Sequence, residues 1–228
     1  MDRRRVVVVG ATRGLGLALT EHYLTQGWEV IATTVEPSVA LNERAATDAR
    51  LRVLPLDITD PRGGATLRAA LHDSIVHVLH IVAGVFQKDF TPIWEQPDEE
   101  ILRLLRTNAI GAIGLAERLD EMVPEGGAFV FTSSGMGSLE RNVKGDVDLY
   151  RLSKVSLNML VRSFAARRTD GSRAVLLICP GWAKTQMGGG DAPVEVQDSV
   201  AGMYRLVVAA RPGPQAQFYE YSGERVPW

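Results

Sequence analysis

Short, nearly unbroken runs of β-branched and leucine residues recur along the chain, separated by longer stretches in which apolar residues return every three or four positions. The runs fall at Arg5–Val9, Glu29–Thr33, Leu51–Pro55, Val76–Val82, Ala128–Thr132 and Ala174–Cys179. They lack regular apolar–polar alternation, so each predicts a strand covered on both faces. Between them, Leu15–Gln26, Pro61–Asp73, Asp98–Met122 and Val147–Arg168 carry the spacing of amphipathic helices. Repeated alternation of strand and helix predicts a parallel sheet, because parallel neighbours need a crossover connection and a helix supplies it. Right-handed crossovers then place helices on both faces, a doubly wound α/β architecture. A last short strand at Gln217–Tyr221 is expected at one edge, making about seven strands. No composition break or repeat divides the chain, so residues 1–228 are expected to form a single domain, with Met187–Pro193 as a loop near the site.

Composition narrows the function classes. Of 228 residues 46% are apolar, and 25 basic against 27 acidic side chains leave a net charge of −2. That balance argues against affinity built on phosphate neutralisation, so no nucleic acid is expected, and the one basic run, Arg3, Arg4 and Arg5, reads as a solvated strand entry. The longest apolar stretches, such as Val6–Val9 and Val175–Pro180, fall far short of the ~20 residues that cross a bilayer. The valines run directly into Gly10 and Thr12, without the cleavage site of a signal peptide, so no membrane contact and a cytoplasmic location are expected. The single cysteine, Cys179, excludes an intramolecular disulfide. The four histidines do not recur at metal-ligand spacing, and His77 and His80 are an odd number of positions apart, on opposite faces of a strand; no metal is expected.

Two motifs carry chemistry. Directly after the first run comes VVVGATRGLGLAL, where Gly10, Gly14 and Gly16 lead into a helical pattern. Such a turn brings backbone close to a pyrophosphate and aims a helix N-terminus at it. Further on, the fifth run ends in FTSSGMGS, and sixteen residues beyond Ser134 stands YRLSK, Tyr150 to Lys154. Tyr150 and Lys154 lie four apart on a predicted helix and share one face. An ammonium near a phenol favours the phenolate, so Lys154 is expected to lower the Tyr150 pKa from ~10 and make it a usable general acid or base.

The GxxxGxG spacing resembles that of the short-chain dehydrogenase/reductases, and the SxxG of Ser134–Gly137 and the YxxxK pair extend the resemblance. The family implies a Rossmann fold that binds a nicotinamide dinucleotide, with Ser134 rather than Ser133 holding the substrate carbonyl. By resemblance Tyr150 is the general acid/base, Lys154 tunes it and donates to the nicotinamide ribose, and Asn108 holds a water linking the lysine to solvent. The same resemblance assigns cofactor contacts to Gly10, Thr12, Arg13, Gly14, Leu15, Gly16, Asp57, Ile58, Ala83, Gly84 and Asn108, and to Pro180, Gly181, Trp182 and Thr185 in CPGWAKT. Asp57 would meet the adenine amine, and it also reads as a helix-start cap ahead of Pro61. Thr33 and Thr34 stand where an acid would select NAD(H), Glu36 comes slightly later, and Arg13 occupies the position of a phosphate-pairing base, which favours NADP(H). Where the family has NNAG, this chain has HIVAG, so Ile81 and Val82 replace two hydrogen-bonding asparagines.

PGWAKTQMGGGDAPVEVQDSVAGM and the closing FYEYSGERVPW resemble the C-factor and sniffer-like carbonyl reductase branch. The resemblance implies reduction of a small or exposed carbonyl or the reverse oxidation, and a homodimer or tetramer through helices 98–122 and 147–168; Phe86, Phe90, Trp94, Met187 and the loop Leu139–Leu149 are candidates for shaping the substrate pocket. The alternative is a dinucleotide-binding sensor or signalling protein with little turnover.

Overall fold

The computed structural model describes residues 4–72, 74–87, 90–168 and 170–228. Arg3 of the basic run and Asp73 at the end of a predicted helix lie outside the described residues. Seven strands form the sheet: β1 (Arg5–Val9), β2 (Glu29–Thr34), β3 (Leu51–Pro55), β4 (Val78–Ile81), β5 (Ala128–Thr132), β6 (Ala174–Cys179) and β7 (Gln217–Glu220). Their order is β3-β2-β1-β4-β5-β6-β7 and each neighbouring pair is parallel. The expected doubly wound fold is therefore present, with β7 at an edge. The order reverses between β1 and β4, which opens a crevice at the carboxyl end of the sheet.

Strands without alternation are buried on both sides. Val7 and Val9 of β1 belong to one core, with Leu67, Leu71, Ala112, Leu157 and Phe164. Val6 and Val8 belong to the other, with Leu19, Tyr23, Leu41, Val200 and Met203. The first core is covered by α3 (Gly63–Leu71), α5 (Gly111–Arg118) and α6 (Asp148–Ala166), with α4 (Asp98–Leu105) packed against α6, and the second by α1 (Gly14–Thr25), α2 (Val39–Thr47) and α7 (Val196–Ala209).

The structure corrects the sequence pattern in three places. Helices α2 and α7 are absent from it: α2 buries only Leu41, whereas α7 buries Val200, Met203 and Val207 at helical spacing, a period the sequence reading passed over. The expected continuous helix Asp98–Met122 is α4, a π-helical turn at Arg106–Ile110, α5, and a 3-10 turn at Asp120–Met122. There the chain presses against its neighbour, since a Cβ on Gly111 would lie 2.5 Å from the Ile58 carbonyl oxygen. The strand expected at Val76–Val82 is shorter, leaving His77 outside it, where its Nδ1 accepts from the Arg5 N–H.

His80 stays on β4 and is fully buried. Its Nδ1 shares a hydrogen bond with the Tyr23 hydroxyl at 3.2 Å, while Nε2 finds no partner among the described residues. Burial drives its pKa from 6.5 to about 3. The unfolded chain therefore binds the proton first: stability is complete above pH 6.5 and declines as pH falls toward about 3, by ~1.4 kcal/mol per unit. His80→Gln, which keeps a partner for Tyr23, is expected to flatten urea-unfolding stability between pH 6.5 and 4; an unchanged slope would assign the acid sensitivity elsewhere.

Candidate active site

The carboxyl ends of β1, β2, β4, β5 and β6 deliver their following turns to one edge of the sheet. Gly10 adopts φ +88, and a Cβ there would lie 2.7 Å from the Ala83 backbone, so only glycine permits the two turns to touch. The Gly10 N–H donates to Thr33 Oγ1 at 3.3 Å and the Ala11 N–H to the Thr33 carbonyl at 2.8 Å. Thr33 thus supports the glycine turn from beneath, and Thr34 is buried beside it. A Cβ on Gly16 would collide with the Gly10 carbonyl, which fixes the close entry of α1.

The first turn of α1 carries no side-chain cap and no acidic residue, so its N–H groups face outward unopposed by negative charge. A Cβ on Gly14 would sit 3.6 Å from Thr185, which brings the turn after β6 over the glycine turn. Together these features fit a pyrophosphate. Thr12 accepts at its carbonyl from Ser38 Oγ, and Arg13, more than half exposed, pairs with Glu36 at 3.2 Å. Asp57 is exposed after β3, where Oδ1 accepts from the N–H and hydroxyl of Thr59. That geometry corrects the helix-start reading: α3 begins at Gly63, after an N-cap at Arg62. Leu15 and Ile58 pack against the two cores on either side of this end.

At the other end, Ser134 caps a short 3-10 turn by accepting from the Met136 N–H at 3.1 Å. Ser133 is engaged elsewhere, donating to Asn158 Oδ1 at 2.6 Å. Ser134 stands near enough to the Tyr150 phenol to favour its ionised form, against the larger effect of burial. Lys154 is buried on the next turn of α6, its Nζ 5.7 Å from the Tyr150 ring centroid and donating to the Thr132 carbonyl at 3.1 Å. Gln87 accepts from the Tyr150 N–H at 3.1 Å, and the Phe86 ring lies 4.6 Å from that of Tyr150, with Phe90 beyond it. Trp94, Leu139 and Met187 are exposed, as is Trp182, whose Nε1 donates to the Gly188 carbonyl at 2.7 Å. Gly181 has φ +73, and the Pro180 carbonyl accepts from Ser199 Oγ at 2.6 Å.

The electrostatics overturn one expectation. Burial raises the Tyr150 pKa above its ordinary value rather than lowering it, and burial also brings Lys154 down to about 8. Lys154 Nζ stands 5.7 Å from the Tyr150 ring centroid, and desolvation by burial is the dominant influence on the phenol.

Asn108 lies in the π-helical turn, not in a regular helix. Its Oδ1 accepts from the Val85 N–H and its Nδ2 donates to the Val85 carbonyl, both at 2.8 Å, and Nδ2 also donates to Ser153 Oγ at 2.9 Å. Ser153 in turn donates to the Tyr150 carbonyl. Asn108 therefore ties the turn after β4 to the helix that carries Tyr150. A Cβ on Gly84 would come within 3.4 Å of Asn108 Oδ1 and 3.5 Å of Lys154 Nζ, which sets these groups around one point. Sequence reasoning passed over Ser153 and Gln87, which have no motif of their own and act only through tertiary neighbours.

A family described as enoyl-(acyl carrier protein) reductase matches residues 10–219. A short-chain dehydrogenase/reductase from Burkholderia multivorans with bound NADP superposes at a TM-score of 0.94, with 36% identity over 100% of both chains. The chain is a short-chain dehydrogenase/reductase. As an oxidoreductase of that family it is also similar to a carbonyl reductase from Pseudomonas aeruginosa PAO1 in complex with NADP, at a TM-score of 0.91 and 33% identity over 100% of both chains. Its resemblance to the C-factor branch is matched by 37% identity with the C-signal of Myxococcus xanthus over 58% of this chain and 82% of that protein.

In this short-chain dehydrogenase/reductase, Asn108→Leu would strip partners from both backbone groups of Val85 and weaken the hold on Ser153. At ~1–3 kcal/mol per stranded group, urea denaturation is expected to register a loss of roughly 2–4 kcal/mol. An unchanged unfolding midpoint would deny the clamp any net contribution.

Proposed function

We propose that the chain is an NADP(H)-dependent carbonyl reductase, interconverting a ketone or aldehyde and its alcohol, with Ser134, Tyr150 and Lys154 as its chemical groups and Asn108 supporting them. The observation that carries this is the convergence of Ser134 and Tyr150 at the end of β5, with Lys154 buried one turn along α6 and its Nζ 5.7 Å from the Tyr150 ring centroid. When bound, the dinucleotide supplies the hydride. Ser134 donates to the carbonyl oxygen and orients it, and Tyr150 delivers the proton to that oxygen as it becomes an alkoxide. Burial keeps Tyr150 in the protonated form the reduction requires. Lys154, charged below about pH 8, stabilises the phenolate left behind.

Gly10, Gly14 and Gly16 with the first turn of α1 would hold the pyrophosphate, and Arg13 the 2′-phosphate. Thr12 and Leu15 would flank the turn, Thr33 and Thr34 the ribose, and Asp57 and Ile58 the adenine. Ala83, Gly84, Asn108, Tyr150 and Lys154 would meet the nicotinamide ribose, and Pro180, Gly181, Trp182 and Thr185 the carboxamide. The proposal includes one domain over residues 1–228, a cytoplasmic setting and a homodimer through helices 98–122 and 147–168. Leu102, Ile110, Leu152 and Met159 support the dimer, being apolar and exposed on those segments. No helix among the described residues is long and apolar enough to cross a membrane.

Similarity to a protein called C-signal supports a second reading, a dinucleotide-binding protein of a signalling role with little turnover. Cofactor binding without turnover on any aldehyde, ketone, quinone or alcohol would favour it.

Tyr150→Phe is expected to abolish NADPH oxidation across such a panel while leaving NADPH affinity within about twofold, since only the proton donor is removed. In the unaltered protein the reduction rate is expected to fall as pH rises through about 8, where Lys154 loses its charge. Comparable turnover in Tyr150→Phe would defeat the assignment.

Arg13 and Glu36 give a second test. Glu36 competes with a phosphate for the Arg13 guanidinium, so Glu36→Gln is expected to tighten NADPH binding about two- to fivefold, the scale of an exposed ion pair, with NADH affinity nearly unchanged. Arg13→Ala should weaken NADPH selectively. Equal shifts for both cofactors in calorimetric titration would remove the 2′-phosphate from Arg13.

A further inference from the structure

Asn158 stands on α6 four positions beyond Lys154 and eight beyond Tyr150, so the three side chains follow one another along one face of the helix. It is buried, as is Ser133. Its Oδ1 accepts from the Ser133 hydroxyl at 2.6 Å and its Nδ2 donates to the Gly137 carbonyl at 2.9 Å. Those partners stand on either side of Ser134, one immediately before it and the other three residues after. The turn they enclose rests directly on the helix. A Cβ on Gly137 would lie 2.9 Å from Asn158 Nδ2, 3.0 Å from the Lys154 carbonyl carbon and 3.1 Å from Lys154 Cβ. The other buried residues on this length of α6, Leu157, Val161, Phe164 and Ala165, are apolar. An amide buried among them costs free energy unless both of its ends are partnered, and both partners here belong to the segment that carries Ser134.

We propose that Asn158 is a positioning residue: its single amide clasps the Ser134 turn from both sides and fixes the Ser134 hydroxyl against the helix that presents Tyr150. The role rests on the carbonyl reductase reading, in which Ser134 orients the carbonyl and Tyr150 delivers the proton. The bond from the Met136 N–H to Ser134 shapes the turn internally, whereas the two bonds of Asn158 place that turn on α6. Lys154, which donates to the Thr132 carbonyl, adds a tie just upstream. An amide suits the task because it offers a donor and an acceptor at a fixed separation on one planar group, which neither a carboxylate nor an aliphatic side chain does. Catalysis by orientation demands such fixity, since a misplacement of about 1 Å costs on the order of a hundredfold in rate.

The test is carbonyl reduction with NADPH, using whichever aldehyde, ketone or quinone of the panel the unaltered protein turns over. Rates are expressed per NADPH-binding site counted by calorimetric titration, so that unfolded protein does not enter them. Asn158→Leu removes both bonds at nearly constant volume and is expected to lower kcat about 10- to 100-fold, with NADPH affinity within about threefold. Unchanged kcat, or NADPH affinity falling by the same factor as kcat, overturns the role. A purely structural defect in Asn158→Leu would come from the stranded Ser133 hydroxyl, and adding Ser133→Ala removes it. The double variant is therefore expected to regain thermal stability while kcat stays low; recovery of kcat overturns the role. Ser133→Ala alone cuts one of the two bonds and is expected to lower kcat about three- to tenfold. It decides the matter if Asn158→Leu does not fold, and unchanged kcat there overturns the role. The two failures are distinct: an unaltered protein that turns over no carbonyl removes the reductase reading and this role with it, whereas active protein indifferent to Asn158 removes only the role.

Discussion

Gly10 touching Ala83 is the constraint on which the site is built. The Val9 carbonyl accepts from both the Val82 and Ala83 N–H groups, so the turns after β1 and β4 leave the sheet in contact. No side chain fits between them. At this reversal of strand order one turn diverges toward α1 and the other toward the Tyr150 helix, and the crevice between is where open α/β sheets bind ligands. Thr33 from β2 and Thr185 from beyond β6 then close on the same turn.

The turn after β4 shows how a missing hydrogen-bonding motif is accommodated. Ile81 is buried in one core and Val82 packs against the other, so these apolar residues fill volume where asparagines would bond. The polar work passes to Asn108, which pairs with both backbone groups of Val85 and reaches Ser153 on α6. A π-helical turn places it there, since the wider turn carries a side chain inward to a neighbouring loop instead of along the helix surface.

Protonation in the site is governed by burial more than by pairing. Tyr150 and Cys179 are both pushed toward their neutral, proton-donating forms, and Lys154 is brought down to about 8. Neutral donors bond without the desolvation penalty of a buried charge. In the proposed reduction this is the useful state: a phenol ready to give its proton and a lysine whose charge is available below about pH 8.

The strands, their parallel arrangement, the glycine turn and the Ser134, Tyr150 and Lys154 set were legible in the sequence, because each rests on local spacing: unbroken apolar runs for doubly covered strands, three glycines before a helix, a phenol and an amine four apart. Helix α2 was not, because it buries only Leu41 and so leaves no period. Nor was the direction of the Tyr150 shift, which depends on how completely distant segments exclude water around it. The Arg13–Glu36 pair spans 23 positions, the Asn108–Ser153 bond 45, and the Arg141–Glu220 pair 79. Separations of that size carry no sequence signal, and only the packing of strands and helices brings such residues within hydrogen-bonding reach.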